Sequence, residues 1–175
     1  MRNAAVIAIG VALLLIQGNF FRFLGPLSVH GITPNLVLPL IVFLGVHEAS
    51  MARGSLLAFG LGYATDLFAS APIGLFTFTS VAIWWLSRVT AVRLSAQTVP
   101  TQILLAALFS LIESSMLLTL LAIFGVDSQR PVEISTIIVP RAIATGLVSP
   151  FVFKLAHRLH QGTTVASRPT ESGAP

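Results

Sequence analysis

Three ionisable side chains interrupt apolar stretches of this sequence and set the chemical question: Asp66, Glu113 and Arg141. A charge at the centre of a bilayer costs ~2.5–3.5 kcal/mol on insertion scales, so each of these groups needs a partner, a cavity or a task. A catalytic task would require convergent acid, base, nucleophile or metal ligands. His30, His47, His157 and His160 show no H-E-x-x-H or comparable ligand spacing. There is no G-x-S-x-G element, and Gly60-x-Gly62 lacks the remainder of a phosphate-binding loop. The absence of cysteine removes thiolate metal sites and disulfides. No catalytic residue, metal ligand or cofactor is therefore assigned, and the expected protein is not an enzyme.

Structural tasks suit these residues better. Gly54, Ala58, Gly62 and Asp66 recur every fourth position and share one helix face. Small residues at that spacing let a second backbone approach closely. Asp66 then has two readings: a capping or solvated group at the outer edge of a helix contact, or one half of a specific intramembrane pair. Arg141 is the candidate partner. Asp66 lies ~18 Å along its helix from Gly54, and Arg141 ~10 Å along its own from Ile134. In a hydrocarbon core ~30 Å thick those depths nearly coincide for oppositely directed helices. The expectation is an Asp66–Arg141 ion pair. Glu113, beside Ser110 and Ser114, reads as a neutral carboxyl hydrogen-bonded within the bundle, as a second partner for Arg141, or as a relay or ligand group. Arg141, Thr145 and Ser149 form a polar stripe that should face inward.

The elements that carry these residues follow from composition. Of 175 residues, 55% are hydrophobic and 9% charged, whereas ordinary soluble domains carry about a quarter charged. A soluble enzyme or nucleic-acid-binding domain is excluded as the first reading. The net charge of +4 is scattered over the ends of apolar runs, which is a topology signal and not a phosphate-binding face. Six spans are expected, at about 3–21, 34–46, 54–69, 72–87, 100–124 and 134–155, giving an all-α polytopic bundle over 1–160. Arg2 with Ala4–Ile16 resembles a signal peptide, but no small-x-small cleavage site follows, so an uncleaved first helix is expected. Pro34 and Pro72 suit first helical positions. Trp84 and Trp85 read as interfacial aromatics. Residues 161–175 read as a disordered cytoplasmic tail.

Spans two to four are short for a crossing, and span two could be re-entrant. Charge decides between the two topologies. With six spans and the N-terminus inside, the inner face receives Arg2, Arg53, Arg88, Arg93, Lys154, Arg158 and Arg168, and the outer face only Arg22 and Arg130. Removing one crossing reverses that balance, against the positive-inside rule. Six spans with both termini cytoplasmic is the preferred reading. The short helices then need bilayer thinning or packing inside the bundle.

Within Thr33–Phe78, Pro34-Asn35-Leu36 opens the second span. Ala58-Phe59-Gly60-Leu61-Gly62 leads to Asp66-Leu67, and Gly74-Leu75 begins the fourth span. This stretch resembles the rod shape-determining protein MreD family, with Ala58-Phe59 reversing that family's order of small residue and Phe. The resemblance implies a non-enzymatic scaffold in the bacterial inner membrane, within the machinery of lateral peptidoglycan synthesis. Its implied partner is the bitopic protein MreC. Through MreC it would connect to the MreB filament and to a glycosyltransferase–transpeptidase pair. Asp66 and Arg141 would hold the bundle's shape, and the Gly54/Ala58/Gly62 face would be a partner contact or an internal one. The MreD family is also similar to the six-helix substrate-binding subunits of energy-coupling-factor vitamin transporters, which supplies the alternative function.

Overall fold

The computed structural model describes residues 2–24, 34–48, 50–69, 72–91, 98–124 and 131–165. Among these residues the regular structure is helical, with no strand. The helices are α1 (Arg2–Leu24), α2 (Val37–His47), α3 (Met51–Phe68), α4 (Leu75–Ala91), α5 (Val99–Ile123) and α6 (Pro131–Val165). Each apolar segment expected from the sequence forms one helix.

The boundaries move for local reasons. Pro34 is buried but lies outside α2. The Asn35 Oδ1 accepts from the amides of Val37 (3.1 Å) and Leu38 (3.2 Å), so its carboxamide fixes the helix start beyond it. Pro72 also precedes its helix, because Gly74 adopts φ +102° and breaks the path before Leu75. Such a φ suits glycine, which has no Cβ to clash. α3 begins at Met51, earlier than expected, with the Ser50 hydroxyl accepting from the Arg53 amide at 3.4 Å. α6 runs through Pro140 and Pro150 as far as Val165, so residues 161–165 of the expected tail are helical. Residues 166–175 lie outside the described residues. Pro150 has no amide hydrogen for the Gly146 carbonyl one turn back. The Ser149 hydroxyl donates to that oxygen at 2.7 Å and keeps the helix intact.

α2 is the central helix and packs against each of the other five. Val37 to Gly45 are all buried, which is the all-round apolar burial of an interior helix. The surrounding core comes from Leu13 and Leu14 of α1, Leu57 and Leu61 of α3, Ile83 and Trp84 of α4, Leu105 and Phe109 of α5, and Val152 and Phe153 of α6. Side-chain contacts fix the helix directions. Gln17, late in α1, meets Leu36 before α2; Arg88, late in α4, meets Glu48 after α2; Gln102, early in α5, meets Ser149 of α6. Consecutive helices therefore alternate in direction, and α3 packs chiefly on α4 as α6 does on α5.

Apolar side chains lie on the outside as well as in the core, and several polar ones lie inside. Asp66, Ser110, Glu113, Thr145 and Ser149 are buried, while Leu56, Leu67, Leu104, Leu147 and Phe151 are exposed. An apolar exterior of this extent marks contact with lipid or with protein. Val99–Ile123 and Ile138–Arg158, with mean hydropathies of 2.1 and 1.4, are long and apolar enough to cross a membrane. Ala4–Asn19 and Val37–His47 are shorter apolar helices.

Candidate functional site

Two groups of buried polar residues gather at helix beginnings. A helix start leaves its first amides without intrahelical acceptors, and in an apolar surrounding each must find one.

The first centre is the start of α4. Asp66, at the end of α3, accepts from the amides of Gly74 (3.0 Å), Phe76 (2.9 Å) and Thr77 (3.0 Å), and from the Thr77 hydroxyl. The remaining first-turn amide, of Leu75, reaches the Pro72 carbonyl at 3.3 Å. All four donors are thus met, and the carboxylate also faces the positive end of the α4 dipole. Both carboxylate oxygens are engaged by α4, which corrects the expected Asp66–Arg141 pair: the capping reading holds, in a buried and not a solvated setting. Depth along the two helix axes fitted such a pair, but lateral position did not. α3 lies on α4, and Arg141 sits on α6 by Glu113.

The small-residue stripe belongs to the same α3–α4 contact. A Cβ on Gly62 would stand 2.7 Å from Thr77 Cα and 2.9 Å from the Phe76 carbonyl oxygen. A Cβ on Gly54 would stand 2.6 Å from the Trp84 ring, and Ala58 is fully buried. The Gly54/Ala58/Gly62 face is therefore filled by α4, so of the two expected roles, partner contact or internal packing, the described residues carry the internal one. Trp84, expected at the interface, fills the space that Gly54 leaves, while Trp85 is exposed.

The second centre is the start of α2. The Asn35 side-chain amide donates to both oxygens of Glu113, at 2.8 and 3.0 Å. Its carbonyl oxygen serves Val37 and Leu38. The Leu36 amide donates to Gln17 Oε1 at 3.0 Å, and Pro39 has no amide hydrogen. The Asn35 amide donates to Thr145 Oγ1 at 3.0 Å, and that hydroxyl donates onward to the Arg141 carbonyl at 2.8 Å. Four helices, α1, α2, α5 and α6, meet through this network. Arg141 adds a positive charge that attracts the Glu113 carboxyl. Its Nε, with the Ser110 and Ser114 hydroxyls, is buried without a hydrogen-bond partner among the described residues.

Of the expected site residues, Asp66, Gly62, Gly74 and the start of α4 come together; Asn35, Glu113 and Arg141 come together separately. Gln17 and Thr77 were not singled out from the sequence. Gln17 had a signal, an amide side chain in an apolar run. Thr77 had none beyond its place one turn into a helix. Among the described residues no three His, Cys, Asp or Glu side chains gather to hold a metal ion. The two centres can receive amide protons and lock helices. No protein-family model matches the chain, and no curated protein or solved structure matches it either.

Proposed function

We propose that this chain is a six-span scaffold of the bacterial inner membrane, of the MreD type, that receives a bitopic MreC-like partner in the lateral wall-elongation machinery. The observation that carries this reading is the use made of the buried carboxyl groups. Asp66 and Glu113, the costliest acids in the apolar interior, are spent on helix starts and interhelical hydrogen bonds. The residues that carry the family resemblance are the ones so engaged: Asn35 of Pro34-Asn35-Leu36, then Gly62 and Asp66, then Gly74. The chemistry supported is positional. α2, at ~16 Å of helix, is too short to cross ~30 Å of hydrocarbon alone. Its start is held inside the bundle by side chains that replace water. The end bearing Arg53, Arg88, Lys154 and Arg158 faces the cytoplasm by the positive-inside rule. The partner's helix has to use a face other than Gly54/Ala58/Gly62.

Mild-detergent extraction of the full chain from bacterial membranes tests this. A co-purifying single-span protein with a periplasmic domain, and loss of rod shape on depletion, is the expected result. The second reading is a vitamin-binding transport subunit, favoured by the unmatched Ser110, Ser114 and Arg141 groups around Glu113. Recovery of a tightly held small molecule together with a cytoplasmic ATPase module would replace the scaffold by that subunit.

A further inference from the structure

At the end of the bundle opposite the two capping centres, a groove of about 750 Å³ opens between the end of α2, the first turn of α5 and the last third of α6. That volume lies within the range of small-ligand sites. Phe43, Pro150, Phe151 and Phe153 give it apolar walls, and His47, Lys154 and His157 give it a basic rim. The rim is organised. The His47 ring stacks on Phe43 at 4.1 Å, and His157 approaches His47 at 6.0 Å between ring centres. Phe153 meets Phe43 edge-on at 5.8 Å, bracing the wall. The nearby acid, Glu48, is buried and lies 3.8 Å from Arg53, and its carbonyl accepts from Arg88. Lys154, exposed on the rim, carries its fixed positive charge. Phe151 is exposed, so the apolar wall continues outward onto the lateral surface of α6.

We infer that this groove holds an anionic phospholipid, its phosphate against Lys154, His157 and His47 and an acyl chain along Phe151 and Phe153. Basic pockets between helices on the cytoplasmic side have this chemistry, and a basic rim joined to an apolar wall matches a molecule with a phosphate at one end and hydrocarbon at the other. The inference rests on the membrane reading above and goes beyond the scaffold role.

The test uses the full chain, purified in mild detergent, delipidated and offered phosphatidylglycerol, phosphatidylcholine or inorganic phosphate, with retention read by native mass spectrometry. Phosphatidylglycerol should be retained over phosphatidylcholine. Lys154→Gln should reduce that preference about fivefold, for one charge lost near the surface, and Lys154→Gln with His157→Gln at least as much. Lys154→Arg should keep it, as should Arg158→Gln, which removes a charge from the same end but outside the groove. Equal retention of the two lipids, an unchanged preference in the double variant, or equally tight retention of inorganic phosphate would overturn the lipid site. Carbonate extraction of the source membranes separates the two levels. Protein that resists extraction but shows no lipid preference refutes the site alone, whereas extractable protein refutes the membrane reading and the site together.

Discussion

Replacing Asp66 by Ala is the most direct probe of how the bundle is held. The substitution removes one acceptor group from three backbone amides, those of Gly74, Phe76 and Thr77, and from the Thr77 hydroxyl. A buried donor left unmatched costs about 1–3 kcal/mol, and losing a helix N-cap about 0.5–2 kcal/mol where water can replace it. Asp66 is 2% exposed, so water replaces it poorly, and the loss should be about 3–5 kcal/mol. That is a large part of the ~5–15 kcal/mol by which a folded domain is stable. Asp66→Asn keeps one acceptor but aims an NH2 group at amide donors, and should lose about 2–3 kcal/mol. Thr77→Val removes the hydroxyl alone and should lose about 1 kcal/mol. The ordering Ala, then Asn, then Val is measurable by denaturing-detergent titration of the purified chain, followed by tryptophan fluorescence. The buried Trp84 lies against Gly54 in the same α3–α4 contact, so it reports on that contact. An Asp66→Ala protein within about 0.5 kcal/mol of the parent would refute the capping argument, since exposed substitutions stay in that range.

Three further outcomes follow from the same geometry. Exchanging charges, Asp66→Arg with Arg141→Asp, should not restore the stability lost in either single variant, because Asp66 is matched by α4 amides; recovery in a double-mutant cycle would revive the ion pair. Gly62→Leu should part α3 from α4, since even its Cβ would stand 2.7 Å from Thr77 Cα; Gly60→Leu, at a position with open space, should be tolerated, and equal losses at the two sites would contradict the packing. Glu113→Leu strands the Asn35 amide and should cost about 2–3 kcal/mol, and Asn35→Leu combined with it should add less than its own separate cost. Strict additivity in that cycle would show that the two residues act independently.

Much of the architecture was legible because apolar run length and breaker residues act locally. Six apolar segments became six helices, and the prolines and glycines between them marked the ends to within a few residues, except that α6 runs on to Val165. The shifted starts of α2 and α4 have a shared cause. Pro34 and Pro72 suit first helical positions, but side chains distant in sequence or just upstream, Asp66 and Asn35, took the amides that define where α4 and α2 begin. The Gly54/Ala58/Gly62 stripe was legible as a close contact, and its occupant was not. Spacing reports a flat face, whereas the neighbour depends on which helix lies beside it.

The sequence by itself determined that this protein has helices with buried acids that must be satisfied, because hydrophobic excess and isolated charge are properties of residues. It also supplied two stripes by their spacing, Gly54/Ala58/Gly62/Asp66 and Arg141/Thr145/Ser149. Only the tertiary structure decided the partners: Asp66 with α4, Glu113 with Asn35 and, through space, with Arg141. Depth along a helix axis can be counted from residue number at ~1.5 Å per residue. Azimuth and neighbour cannot, because they are set by how the other five helices pack around α2 at once.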